Sequence, residues 1–162
     1  MVKTMIEILD GFLTKEEFEY VIRYCEHDAA YTYGEPDDFD LPPTGMVHEI
    51  ATSSIIYKIF ESKTRNLVSD IQLYRMYINC FAPSENPYFH TDGDPGDITF
   101  LYYPTPEWNL NDGGETQFLV DNEIYGVTPI PNRMVYFDAS IYHRATTFRN
   151  KHRFTIAIKY GS

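Results

Sequence analysis

Cysteine is nearly absent from this 162-residue chain: there are two, Cys25 and Cys80, far apart in sequence and with no neighbours at zinc-ligand spacing. Both are therefore expected to be reduced thiols packed as small hydrophobes. Long apolar runs are missing too. No stretch approaches the ~18 unbroken apolar residues of a membrane span, and the first ten residues carry Glu7 and Asp10 where a signal peptide needs an apolar run. These absences predict a soluble, cytoplasmic protein without a membrane partner. Basic residues are scarce, 13 Lys+Arg against 24 Asp+Glu for a net charge of −11. A nucleic-acid partner is disfavoured, because binding one relies on cations displacing counterions from phosphates. There is no internal repeat and no low-complexity segment.

What is present fits one domain spanning 1–162, with helical support and a loop over 1–68 and a β core over 69–162. Hydrophobic residues at 43% exclude disorder, and 14 Tyr and 11 Phe lean towards a pleated, β-rich fold. Thr14-Lys15-Glu16-Glu17 reads as a capping box, and Phe18, Val21, Ile22 and Cys25 follow at helical spacing, predicting a helix over 14–28. Residues 29–50, rich in Gly, Pro and acids, read as a long loop, a solvated surface in preference to a substrate lid. A second helix is predicted over 54–68, with Ile55, Ile56, Ile59 and Phe60 on one face.

From about residue 70 the hydrophobic period becomes two. Strands are predicted at 72–81, 98–104, 116–120, 123–128, 134–138, 142–147 and 153–160, separated by turn residues such as Asp121-Asn122 and Pro131-Asn132. Many short strands of this kind imply an all-β barrel or a double-sheet jelly roll. In the last strand Phe154, Ile156, Ile158 and Tyr160 share one face and Arg153, Thr155, Ala157 and Lys159 the other. The apolar face wants a cover, which the two helices supply. Arg153 then points into the barrel, where a charge is costly unless it meets an anion.

His90-Thr91-Asp92 aims an imidazole and a carboxylate the same way, since residues i and i+2 of an extended chain share a face. His143 is the candidate third ligand. Two His and one carboxylate form the facial triad of non-haem Fe(II) oxygenases, which leaves coordination positions open. Arg153 follows His143 across the turn at 149–151, on what should be the adjacent antiparallel strand, in reach to grip a carboxylate bidentately.

Over residues 71–160 the chain resembles the Fe(II)/2-oxoglutarate-dependent dioxygenases, in their prolyl-4-hydroxylase-like branch. The resemblance is carried by Phe89-His90-Thr91-Asp92, Thr99-Phe100-Leu101-Tyr102-Tyr103, Trp108, Gly113-Gly114-Glu115-Thr116-Gln117-Phe118, Val127-Thr128-Pro129, Met134-Val135-Tyr136-Phe137, His143-Arg144 and Arg153-Phe154-Thr155-Ile156-Ala157. It implies a double-stranded β-helix with helices packed on one sheet. It also implies His90, Asp92 and His143 as iron ligands and Arg153 as the grip on the distal carboxylate of 2-oxoglutarate. Tyr103 would be a hydrogen-bonding helper, with Thr116 and Ala157 lining the same pocket. The implied reaction is O2-dependent hydroxylation of a C–H bond, most naturally of a prolyl residue in a protein or peptide. It releases succinate and CO2, with ascorbate as a supporting reductant. Alternatives are an oxygenase acting on a free amino acid or other small molecule, and a non-enzymatic metal-binding jelly-roll module.

Two residues depart from the family pattern. Phe81 stands where many prolyl hydroxylases have a tyrosine that touches the cosubstrate, so that bond is missing or is replaced by Tyr77. Lys159 stands where related enzymes often have tryptophan, which bears on substrate identity. Asp92 is present, which argues against a halogenase. His27, His48 and His152 are read as structural. The acid-rich run from Asp92 to Asp97 superficially resembles a calcium loop, but its twelfth position is Tyr103, not a carboxylate.

Overall fold

The computed structural model describes residues 5–162. In chain order the elements are β1 (Ile6–Leu9), α1 (Lys15–Arg23), β2 (Thr32–Tyr33), β3 (Met46–Glu49), α2 (Ile55–Thr64), β4 (Gln72–Phe81), β5 (Ile98–Tyr103), β6 (Thr116–Val120), β7 (Glu123–Val127), β8 (Arg133–Asp138), β9 (His143–Ala145) and β10 (Arg153–Gly161). A seven-stranded sheet runs β1-β8-β5-β10-β4-β3-β2 and a three-stranded sheet runs β7-β6-β9, every pair antiparallel. The molecule is a jelly roll with two helices on one sheet.

Strand alternation divides the apolar residues into two layers. Met76, Ile78, Phe100, Tyr102, Met134, Ile156, Ile158 and Tyr160 face the helices and pack with Val21, Cys25, Ile56, Tyr57 and Phe60. Tyr77, Leu101, Tyr103, Val135, Phe137 and Ala157 face the small sheet and pack with Phe118 and Val127. The cover expected for the last strand is thus present, although Phe154 at its start is only half buried.

The capping box forms as expected. Thr14 Oγ1 accepts from the Glu17 amide at 3.2 Å and Glu17 Oε2 accepts from the Thr14 amide at 3.0 Å. The helix continues as a π-helical turn, Tyr24–Asp28. In α2 the buried stripe is Ile56, Tyr57, Phe60 and Thr64, whereas Ile55 is 64% exposed. At 100° per residue Ile55 lies about 155° from the centre of that stripe, so the expected face was rotated. Thr64 Oγ1 and the Tyr160 hydroxyl, 2.8 Å apart, fasten α2 to β10.

Three further points differ from expectation. The N-terminal segment contributes β1, pairing Ile6–Leu9 with β8. The 29–50 stretch is not all loop, since β3 extends the large sheet beside β4 and β2 pairs with β3. Both strands are too short for alternation to declare them among prolines and acids. Finally, β9 and β10 are not adjacent. The chain after β9 keeps bonding towards 112–115, with the Thr146 amide on Glu115 O and the Arg149 amide on Asp112 O. It therefore crosses between the sheets, and Arg153 faces the small sheet from the large one.

Candidate active site

His90 lies outside any regular strand, yet its backbone is fixed. The His90 amide donates to His143 O and the His143 amide to His90 O, each at 3.0 Å. Such a hydrogen-bonded pair puts both side chains on one face. Two residues on, the Asp92 amide donates to Ala139 O at 2.8 Å, and its carboxylate turns towards the same point. His90 Nε2 and His143 Nε2 each lie 3.4 Å from a different oxygen of Asp92. One donor atom from each of the three residues falls within 4.8 Å of the others, a spacing one metal ion can span.

Their surroundings orient these donors. His90 Nδ1 meets Tyr88 O at 3.0 Å and His143 Nδ1 meets Ile141 O at 2.9 Å. A proton on Nδ1 satisfies each carbonyl and leaves the Nε2 lone pair facing the cluster, as a metal site requires. Thr99 Oγ1 donates to Asp92 Oδ2 and Lys159 Nζ to Asp92 Oδ1, both at 2.9 Å. Burial pushes the Asp92 carboxyl up, but His143, His90 and Lys159 outweigh it and hold the group well below the usual carboxylate range. Burial pushes His90 down, and the Asp92 carboxylate more than reverses this, leaving it above the ordinary imidazole value. Two imidazole nitrogens and one carboxylate suit a divalent iron.

Arg153 sits across the interior, 1% exposed. Its Nε donates to Gly114 O at 2.7 Å and its Nη2 to Thr116 Oγ1 at 2.9 Å. Tyr103 completes the group, with its hydroxyl 2.7 Å from Thr116 Oγ1 and its ring centroid 5.7 Å from the guanidinium carbon. Among the described residues Arg153 makes no salt bridge, and burial lowers its proton affinity. A buried, unpaired guanidinium costs several kcal/mol, so this arrangement is suited to receiving an anion. The glycines before Thr116 serve it directly. Gly114 has φ +83°, and a Cβ there would lie 2.3 Å from the Phe148 ring. No other residue can bring that carbonyl to Arg153 without strain.

One cavity of about 220 Å³ joins the two halves, and His90, Asp92, His143, Arg153, Thr116, Tyr77 and Lys159 all line it. Tyr103 and Ala157, expected in the pocket, are buried but stand behind its wall. Phe81 pairs with Arg153 across β4 and β10, whereas Tyr77 pairs with Ala157, four residues further along β10. The Tyr77 ring faces Arg75 at 4.0 Å and Lys159 at 5.4 Å, so its neighbours are those cations and not the guanidinium of Arg153. The 29–50 stretch also differs from a purely solvated surface, because Glu35, Asp37, Thr44 and Val47 wall the cavity mouth. Asp37 is tied there by the Tyr88 amide at 2.8 Å. Thr155, read from sequence as inward-facing, lines the cavity. Asn79, which also lines it, and Thr99, which bonds Asp92, were given no role from sequence, although their inward parity on β4 and β5 was readable.

Residues 74–160 match the sequence model of the 2OG-Fe(II) oxygenase superfamily. The chain belongs to that superfamily, whose members use Fe(II) and 2-oxoglutarate. It is therefore a dioxygenase by class. No curated relative matches the sequence. Among solved structures, it is similar to a Trichoplax adhaerens prolyl hydroxylase in complex with a hypoxia-inducible-factor peptide fragment. That match has 17% identity and a TM-score of 0.79, covering 98% of this chain and 84% of that one. It is also similar to a Pseudomonas putida prolyl-4-hydroxylase, with 12% identity and a TM-score of 0.74 over 99% of this chain and 94% of that one. HygX from Streptomyces hygroscopicus, solved with nickel, 2-oxoglutarate and hygromycin B bound, matches at 12% identity and a TM-score of 0.74, covering 98% and 83%. At these identities the likeness extends to the fold. No helix of the described residues is long and apolar enough to cross a membrane.

Proposed function

We propose that the protein hydroxylates a prolyl residue of a protein or peptide, with His90, Asp92 and His143 holding Fe(II) and Arg153 holding the distal carboxylate of 2-oxoglutarate. The metal and cosubstrate, when bound, supply the oxidising chemistry, turning 2-oxoglutarate and O2 into succinate, CO2 and a hydroxylated carbon. The chain's own residues bind and position. The His90–His143 bridge sets the two imidazoles, Thr99 and Lys159 fix the plane of the Asp92 carboxylate, and Thr116 with Gly114 O aims the Arg153 fork. Phe81 and Leu101 give the cavity lining an apolar part.

The observation that carries the substrate reading is the size of the cavity. About 220 Å³ falls below the ~300–1,000 Å³ of pockets that enclose a whole ligand. A bound dicarboxylate fills much of that space. The target carbon then has to be presented from the open side, as a ring or side chain projecting from a larger molecule, past the mouth walled by Glu35–Asp37. A proline ring in an extended peptide meets that requirement, and prolyl hydroxylases are among the solved structures of this fold.

The test is to incubate the protein with Fe(II), 2-oxoglutarate and a library of proline-containing peptides and to follow product masses. Gain of one oxygen atom on proline supports the assignment. Coupled turnover with free amino acids or other small molecules, and none with peptides, would replace it with the small-molecule alternative.

A further inference from the structure

Lys159 and Thr99 are direct partners on neighbouring strands β10 and β5, and between them they hold both oxygens of Asp92. Lys159 is 9% exposed and its Nζ lies 2.9 Å from Asp92 Oδ1. Arg75, its partner on the other side in β4, is already matched by Glu35 and Glu49, with contacts of 3.0 and 2.9 Å. Lys159 has one carboxylate partner among the described residues, and that carboxylate is the anionic member of the candidate metal site.

We propose that Lys159 sets the affinities of this site in opposite directions: its ammonium competes with a divalent cation for Asp92 and adds attraction for the dianionic cosubstrate. This rests on the oxygenase assignment above. The physical basis is charge alone. A cation bonded to one oxygen of a ligand carboxylate stands within a few ångströms of anything bound to that carboxylate, where like charges repel strongly in a partly buried site. A dicarboxylate entering the same cavity is attracted by the same charge. Without metal, Lys159 keeps the buried Asp92 compensated; Asp92 would otherwise be an isolated internal charge. Thr99 preserves the orientation of the carboxylate whether or not the ammonium is there.

The experiment compares the full-length protein with Lys159→Met, Lys159→Gln and Lys159→Arg in two calorimetric titrations at fixed ionic strength. Mn(II) is titrated first, and then 2-oxoglutarate is titrated into the Mn(II)-saturated protein. The neutral variants should bind Mn(II) about 10-fold or more tightly than wild type and 2-oxoglutarate about 3- to 10-fold more weakly. Lys159→Arg, which keeps the charge, should follow wild type in both. A folding defect would weaken both ligands together. Any pattern other than tighter metal with weaker cosubstrate in the neutral variants overturns the proposal. Failure of wild type itself to bind Mn(II) overturns the metal-site assignment, and the role of Lys159 with it.

Discussion

His90 and His143 exchange both backbone hydrogen bonds at 3.0 Å, and their ring centroids lie 4.5 Å apart. One bridge therefore positions two donors that are 53 residues apart in sequence. It is also the seam through which the irregular segment carrying His90 and Asp92 joins the small sheet. Geometry at the site thus depends on sheet pairing.

Arg153 uses Nε and one proton of Nη2 on Gly114 O and Thr116 Oγ1, which leaves three of its five N–H groups for a ligand. Arg153→Lys cannot satisfy both the protein and a carboxylate. Losing a charge-assisted bond costs about 1.5–3 kcal/mol, so 2-oxoglutarate should bind roughly 10- to 150-fold more weakly in calorimetry. Mn(II) affinity should stay within about 2-fold of wild type. Unchanged 2-oxoglutarate binding would place the carboxylate grip elsewhere.

Asn132 ties the segment before α1 to the large sheet. Its Oδ1 accepts from the Leu13 amide at 2.9 Å and the Tyr102 hydroxyl at 2.7 Å, and its Nδ2 donates to Leu13 O at 2.9 Å. It also takes φ +63°, which Asn tolerates better than Ala. Asn132→Ala orphans three polar groups and should cost about 3 kcal/mol. In thermal unfolding that corresponds to a fall of about 6–12 °C; a change under about 2 °C would show that water replaces these bonds.

Asp138 caps the turn after β8, accepting from the Ser140 amide and hydroxyl at 3.0 and 2.5 Å and from the Gly96 amide at 2.9 Å. Burial pushes its carboxyl up, but these bonds win and it titrates below the ordinary aspartate value. A depressed value means that its stabilisation is present above ~pH 3.9 and is lost as pH falls through the lower folded value. Asp138→Asn should lower the urea midpoint at neutral pH, with the gap to wild type closing below about pH 4. A gap independent of pH would contradict the charge-based account.

Removing residues 1–68 strips β1, β2, β3 and both helices from the large sheet, baring Ile156, Ile158, Tyr102 and Phe100. Cluster contacts with Val21, Ile56 and Phe60 are lost together. A 69–162 fragment should be insoluble or should bind a hydrophobic dye without a cooperative unfolding transition. A soluble, cooperatively folded fragment would mean that the β core does not need its helical cover.

The β core was legible in the sequence because its strands are long and alternate. Gln72–Phe81 and Thr116–Val120 match their expected limits, and Arg153–Gly161 extends one residue further. Part of the candidate site was legible for the same reason, since period-two parity placed Arg153 and Lys159 inward, whereas His90 and Asp92 lie outside the regular strands and were legible from their H-x-D spacing. What parity does not encode is which strands become neighbours. The turn after β9 looked like a hairpin from its residues, but bonds to 112–115 carry the chain to the other sheet. Parity also put Lys159 inside the barrel without saying that Asp92 would meet it. That contact joins residues 67 apart and exists only once β5 and β10 are paired. The short β1 and β3 gave too few residues for a period to emerge.

The central claim is that His90, Asp92 and His143 form an iron site serving 2-oxoglutarate chemistry. It is tested most directly by measuring succinate formed from 2-oxoglutarate in air with Fe(II), for wild type and Asp92→Ala side by side, with far-ultraviolet circular dichroism showing both folded. Asp92 supplies the one carboxylate of the triad, and its removal should abolish succinate formation while leaving the β-sheet signal unchanged. Equal succinate from the two folded proteins, or none from wild type across the peptide library, would contradict the account.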